Sequence, residues 1–347
     1  MLKEIKEILR ANELPTHDFI FNLCDSASSV LESEITDYRA ENELGKPGSL
    51  LDFQKSPLPL VVVPDIHSRP FFIEKILDYE LPSDFFCEKE NSCTVFDAIA
   101  GGKCRVVCVG DALHTEVDTR ERWIAAEIEF ANNIYTGPAI SAEMKDGLAV
   151  LGALMKLKTL FPSYVHFLKG NHENILNRTS DGDYAFVKFA DEGRMVREFI
   201  TEYYGEDVLY LISCIENILP LIAVSKNCVV SHAEPRFGFR KDQLVNARSD
   251  AGVVEALTWT DNDAAHKGSV VEIIEELCSL PIGKERDKAL SDYVYLGGHR
   301  PVKENYKLRQ NGKFIQIHNP HRQNIALVRP FRKFNPDTDI VSVCDFK

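Results

Sequence analysis

The 347-residue chain has no apolar run long enough to span a bilayer. Its first twenty residues, MLKEIKEILRANELPTHDFI, hold neither a continuous apolar stretch nor a small-residue cleavage site. No membrane association is expected, and a cytoplasmic location is. The chain is also short of basic residues: 40 Lys and Arg stand against 53 Asp and Glu, a net charge of -13. That balance argues against a broad nucleic-acid or anionic-lipid surface, because both attract through Lys and Arg. There is no CxxC pair. The nine cysteines are odd in number and scattered, and the pairs at 87 and 93 and at 104 and 108 lack the spacing of a structural zinc site. Cys104, Cys108 and Cys228 instead lie inside apolar strand-like runs, where a thiol acts as a small core residue, and a reducing compartment fits best. Internal repeats and low-complexity segments are absent. What remains, 44% hydrophobic and 27% charged, is the composition of an ordinary globular protein.

The apolar residues that are present recur at two periods. Leu2, Ile5, Ile8 and Leu9 follow helical spacing and predict an amphipathic N-terminal helix, either packed on the core or offered to a partner. Residues 36 to 57 are polar, carry Gly and Pro and read as a connection, which divides the chain into a helical segment over 1–56 and a main domain over 57–347. From there strands alternate with helices: LPLVVV before FFIEKIL, CRVVCV before a long region to about 160, and YVHFL before helices to 217. PLIAVSKNCVVS predicts two strands about a Lys-Asn turn, YVYLGG and NIALVRP predict further strands, and Asn311-Gly312 predicts a hairpin in KLRQNGKFIQIH. The tail after Pro330, with apolar Ile340, Val341 and Val343, predicts an added edge strand. The class is α/β with mixed sheets.

Five of these strands end in side chains that bind metals. LPLVVV runs into PDIHSR and delivers Asp65 and His67, two apart and therefore on one side of an extended chain. CRVVCV runs into GDALHTE and delivers Asp111; YVHFLKGNHE delivers Asn171 and His172; CVVSHAE delivers His232; YVYLGGHRP delivers His299. Singly, each has an ordinary explanation as a turn former or a satisfied core histidine. Together they require five independent coincidences at strand carboxyl ends, where α/β sheets bind ligands. Carboxylate and imidazole suit manganese, iron or zinc, and one carboxylate can bridge two such ions, with Asp111 the natural bridge. A water polarised to hydroxide between them would attack a phosphate in line, and His172 would protonate the leaving oxygen, oriented by Glu173 or another acid.

In order and residue type, PDIHS, VGDALH, GNHE, SHAE and GGHRP resemble the motifs of the calcineurin-like metallophosphoesterases, over about residues 60 to 302. Within that superfamily the chain is most similar to the serine/threonine phosphoprotein phosphatase branch, through its full GNHE, through LTWTD at 257 to 261 and through a last motif with a single histidine. The resemblance implies a four-layer αββα sandwich, two mixed sheets packed face to face with helices outside. It implies a first metal on Asp65, His67 and Asp111, a second on Asp111, Asn171, His232 and His299, and His172 as general acid. The implied cofactors are two metal ions (Mn, Fe or Zn), and the implied partner is a phosphorylated protein or small molecule. Oligomeric state is left open.

The chain departs from that branch at its second motif. Where the branch has Gly-Asp-x-Val-Asp-Arg-Gly, the second Asp orients the catalytic histidine and the Arg grips phosphate; here His114 and Thr115 stand at those positions. His114 is then a hydrogen-bond partner of phosphate or a rim residue. Among Arg69, Arg120, Arg122, Arg178, Arg236 and Arg300, the last two follow motifs closely and are the leading phosphate candidates, against a plain reading as solvated surface residues. Ser68 and Arg69 also replace the branch's glycine after the first histidine, which narrows the approach to the metals. The leading function is hydrolysis of a phosphate monoester. Alternatives are a phosphodiesterase or dinucleotide polyphosphate hydrolase, with the insertion between Asp111 and Asn171 shaping the choice, and a non-catalytic metal- and phosphate-binding module.

Overall fold

Leu60–Val63, Arg105–Cys108 and Val165–Phe167 lie side by side in parallel, so that three successive motif loops leave one edge of one sheet. The computed structural model describes residues 1–87, 91–278, 280–281 and 283–344. This sheet has five strands in the order Ile340–Ser342, Asn324–Val328, Leu60–Val63, Arg105–Cys108, Val165–Phe167, with the first two pairings antiparallel. The tail thus adds the expected edge strand; the last three residues of that tail lie outside the described residues. The other sheet has six strands, ordered Leu50–Asp52, Ile222–Val224, Cys228–Ser231, Val294–Gly297, Phe314–Gln316, Lys307–Arg309. Within it Cys228–Ser231, Val294–Gly297 and Phe314–Gln316 are parallel neighbours, so three more carboxyl ends share an edge. The Lys-Asn and Asn-Gly turns close antiparallel pairs as their sequences require, Asn311 and Gly312 both at positive φ.

The strands read as near-continuous apolar runs because both faces are covered. Alternation divides them: Leu60, Val62, Val107, Val230, Leu296 and Ile315 meet between the two sheets. Val61, Val63, Val106 and Val165 point the other way, under helices that include Pro70–Asp78, Pro138–Leu160, Glu192–Tyr204 and Glu206–Ile218. Val229 and Tyr295 face a second helical layer, Ala251–Thr258 and Ser269–Leu277. This is the four-layer αββα sandwich.

The N-terminal segment is built into the same body. Leu2–Leu9 buries Ile5 and Leu9, and His17–Glu32 buries Ile20, Cys24, Ala27 and Leu31, all in the cluster that holds Pro138–Leu160. The amphipathic pattern serves packing on the core. Of the stretch read as a connection, Leu50–Asp52 forms a strand, paired in parallel with Ile222–Val224. Its short polar flanks hid three residues whose burial depends on a strand 170 positions away.

A buried ion network ties these parts together. Glu34 accepts from Arg39 Nη1 at 2.7 Å and from Lys158 Nζ at 2.5 Å, and all three side chains are at most 3% exposed. Arg39 also donates to the carbonyls of Gly48 and Ile218, which pins the connection against the Glu206–Ile218 helix. Removing the shared acid leaves two buried cations without their counter-ion. Glu34→Gln should therefore lower unfolding free energy by about 3–5 kcal/mol, read as a fall in the denaturant midpoint at unchanged slope.

Candidate metal centre

All six strand ends converge, three from each sheet. Asp65, His67, Asp111, Asn171, His172, His232 and His299 are each no more than 7% exposed. The loops are fastened to one another before any side chain is considered. Ile66 and His67 donate their backbone N–H to the carbonyl of Asp111, and Ser68 donates to Ala112. The Glu173 carboxylate accepts from the backbone N–H of Asp111 at 2.9 Å, Ala112 at 2.8 Å and Gly170 at 2.6 Å, stapling the second motif to the GNHE loop. Its oxygens are thus committed to backbone, and the expectation that Glu173 orients His172 is corrected.

His67, Asp111, His114 and His299 all sit at positive φ, between 47° and 67°. Side chains with a Cβ are rarely held there, and such positions gather where backbone conformation serves a site. His67 therefore reaches the centre from a left-handed turn and not by the strand alternation that its spacing from Asp65 suggested. Close approach explains the motif glycines. A Cβ on Gly298 would overlap the Asp65 carboxylate, and one on Gly170 would overlap that of Asp111. Gly298→Ala is expected to displace Asp65 and weaken metal affinity by about 10–100-fold, the usual loss when a ligand's support is disturbed, measured by metal content after dialysis.

On one side of Asp111, Asn171 Oδ1 lies 2.9 Å from His232 Nε2 and 2.9 Å from His299 Nδ1, and the two imidazole nitrogens are 3.2 Å apart. Asp111 Oδ2 is 3.4 Å from His232 Nε2. Two donor atoms each about 2.1 Å from one ion stand roughly 3 Å apart, so these edges are those of a ligand set. His232 Nδ1 lies 3.1 Å from the Val109 carbonyl, which fixes the tautomer that leaves Nε2 as donor to a metal. On the other side, His67 Nδ1 is bonded to the His114 carbonyl at 2.9 Å, and its Nε2, 3.6 Å from Asp111 Oδ2, has no hydrogen-bond partner. Asp65 Oδ2 and Oδ1 accept from the backbone of His299, and Asp65, Asp111 and His232 form one compact group.

The electrostatics suit a bound cation. Asp111 Oδ2 is buried and unpartnered, and burial, with the Asp65 and Glu173 carboxylates adding to it, holds Asp111 well above the usual carboxylate range. Burial also acts to raise Asp65, but His318, His232 and His67 outweigh it and Asp65 lies below its ordinary value. Burial drives His172 and His299 well below ordinary imidazole, so both are neutral and able to share a lone pair. A divalent ion would neutralise the carboxylates and take up the unpartnered donor atoms. The residues present therefore fit the two-metal expectation.

His172 is not at the ions' far rim but stacked in. Its Nδ1 lies 2.8 Å from His114 Nδ1, and its Nε2 faces Asp111 Oδ2 at 3.7 Å. His114, 3% exposed, is therefore buried against His172 and is no rim residue. Phe186 covers the pair, its ring centroid 3.8 Å from that of His172. The two leading arginines do not come together at the centre: Arg236 pairs with Glu255 at 3.3 Å and Arg300 with Asp261 at 3.0 Å, both nearly half exposed. Arg69 spends its guanidinium on the carbonyls of Ile66, Asp65 and Pro320, and Arg122 on Thr115 and Glu143.

Two residues arrive that were not singled out. Glu116, five after Asp111, lies 3.1 Å from His67 Nε2, and His318 lies 3.0 Å from Glu116 and 3.2 Å from Asp65. His318 ends the strand Phe314–Gln316, so the strand-end pattern that found the other histidines was present in FIQIH as well. Glu116 also lines a surface cleft of ≈ 570 Å³ whose walls carry Lys188, Lys303, His321 and Arg322.

No family model matches the sequence, and no curated protein does. Solved structures do match. A protein serine/threonine phosphatase from Saccharomyces cerevisiae, with similarity to human phosphatase PP5, superposes with a TM-score of 0.53 at 12% identity, covering 98% of this chain and 94% of that one. A cold-active protein-tyrosine phosphatase of a psychrophilic Shewanella gives a TM-score of 0.38 at 15% identity over 80% and 76% of the two chains. The four-layer sandwich is a metallophosphoesterase-like fold, shared with that serine/threonine phosphatase. Its likeness to the serine/threonine phosphatase runs from end to end and includes the N-terminal segment. Among the described residues no helix is long and apolar enough to cross a membrane.

Proposed function

We propose that the chain is a dinuclear-metal phosphoesterase acting on phosphate monoesters, as serine/threonine protein phosphatases do. The observation that carries the reading is the convergence of six strand-end loops on one unpartnered carboxylate oxygen, Asp111 Oδ2, with three imidazole Nε2 atoms within 3.7 Å of it. Asp111, Asn171, His232 and His299 would hold one ion, and Asp65, His67 and Asp111 the other. Bound there, the ions would polarise the attacking water and neutralise the phosphate oxygens.

His172 acts as general acid through Nε2, the ring nitrogen that faces the centre. In its acid form His172 is an imidazolium, whose Nδ1–H the His114 Nδ1 lone pair can accept and whose Nε2–H points toward the leaving oxygen. Lys188, Lys303 and Arg322 give the adjoining cleft a positive wall in an otherwise acidic protein, which suits an anionic substrate. Arg300 remains next to His299 and can turn inward only by giving up Asp261.

The test is hydrolysis of p-nitrophenyl phosphate beside bis-p-nitrophenyl phosphate by metal-stripped protein reloaded with manganese. Metal-dependent turnover of the monoester supports the reading. A preference for the diester transfers the assignment to phosphodiester or dinucleotide polyphosphate hydrolysis, and tight metal binding without turnover of either ester points to a binding module.

A further inference from the structure

Glu116 and His318 lie outside the ligand set that the motifs imply, yet they are placed as ligands are. His318 is wholly buried at the end of Phe314–Gln316, the parallel neighbour of the strand that delivers His299. Its Nε2 lies 3.0 Å from Glu116 Oε2 in hydrogen-bonding geometry. That bond puts the ring proton on Nε2 and leaves Nδ1 with a lone pair, 3.2 Å from Asp65 Oδ2 and without a hydrogen-bond partner. An imidazole whose far N–H donates to a carboxylate is the usual arrangement of a metal-bound histidine. The second Glu116 oxygen faces another such nitrogen while also accepting from Lys188 Nζ at 3.3 Å. Oε1 is 3.1 Å from His67 Nε2, which also lacks a hydrogen-bond partner because its own proton faces the His114 carbonyl. Two pairs of buried lone-pair donors face each other about 3 Å apart, the separation that a shared ion imposes.

We propose that the ion on the His67 side is bound by His318 Nδ1 and Glu116 in addition to Asp65, His67 and Asp111, and that this makes it the tighter of the two ions. The inference rests on the dinuclear reading above. The enlarged set holds three carboxylates and two imidazoles. The other ion has the shared Asp111 as its only carboxylate, with the neutral Asn171, His232 and His299. More anionic ligands raise affinity for a hard cation, so the two positions fill in order. The His67-side ion also gains a route to solvent, because Glu116 lines the cleft beside Lys188.

The experiment is calorimetric titration of the metal-free full-length protein with Mn²⁺, with metal content measured after desalting. Wild type should take two ions with resolved affinities. His318→Ala and Glu116→Gln should each weaken the tighter step by at least about 10–100-fold and leave the weaker step little changed. Two ions bound by both variants with wild-type affinities overturns the proposal, whereas a wild type that takes no ion overturns the dinuclear reading itself. If a metal-free variant does not keep the wild-type circular dichroism, X-ray absorption decides the matter on protein carrying His232→Ala and one equivalent of Zn²⁺. Two imidazoles on that zinc, His67 and His318, support the proposal. One imidazole overturns it.

Discussion

Asp111→Asn should yield a folded protein that turns over phosphate monoesters on the order of 10³-fold more slowly and no longer gains thermal stability from manganese. The magnitude follows from several kcal/mol of transition-state charge stabilisation that a bridging carboxylate secures for two ions at once. Asp111 Oδ2 stands 3.4 Å from His232 Nε2, 3.6 Å from His67 Nε2 and 3.7 Å from His172 Nε2, so a neutral amide there removes charge from both positions. The variant also separates metal binding from architecture. In the metal-free protein its Oδ2 is buried and unpartnered, Oδ1 accepts from the His172 backbone N–H at 3.0 Å, and the group is held well above its ordinary range by burial and by Asp65 and Glu173. An amide costs less to bury than such a group, so the metal-free variant should melt at or above the wild-type temperature. A variant that melts lower without metal yet keeps its manganese-induced gain would mark Asp111 as a structural acid, and the metal reading would fail.

The contrast between what the sequence reveals and what it conceals follows from range. A strand that ends in a polar ligand is a local pattern, and YVHFLKGNHE or VVSHAE need nothing distant to be read; the fold then brings the ends together because parallel neighbours share an edge. His318 belongs to the same pattern, but the Asn-Gly signal in KLRQNGKFIQIH marks its strand first as half of a hairpin. Glu116 is different, since no strand aims it: it follows a turn at His114 with positive φ, and its place between His67 and His318, the latter over 200 residues away, makes its position meaningful. The resting partners of the arginines are hidden for the same reason. A guanidinium on a long flexible stem goes where a carboxylate receives it, and Glu255 and Asp261 are invisible from the motifs that precede Arg236 and Arg300. Glu173 likewise was read by its neighbour in sequence, whereas three backbone N–H groups from two loops claim it.

The His114–His172 pair carries the second large effect. His172→Ala should cost about 10²–10⁴-fold with a substrate whose leaving oxygen is strongly basic, such as a phosphoserine peptide, and far less with p-nitrophenyl phosphate, whose leaving group departs without a proton. The ratio of the two losses is the readout, because a merely structural histidine would depress both equally. His114 then tells which protonation state does the work. A neutral imidazole can accept one hydrogen bond from an imidazolium but brings no compensating charge, and burial together with His67 lowers His114 itself to about 3, so His172 takes up its proton against burial with a neutral partner. Burial, and then His114 and His67, likewise hold His172 well below its ordinary value. His114→Asp replaces that partner with an acceptor-only anion that favours a protonated His172. A raised folded-state value means the acid form persists to higher pH, so the alkaline limb of kcat for the phosphopeptide should move upward, while His114→Ala should lose activity without that displacement. An unmoved alkaline limb in His114→Asp would show that His172 does not deliver the proton to the leaving oxygen.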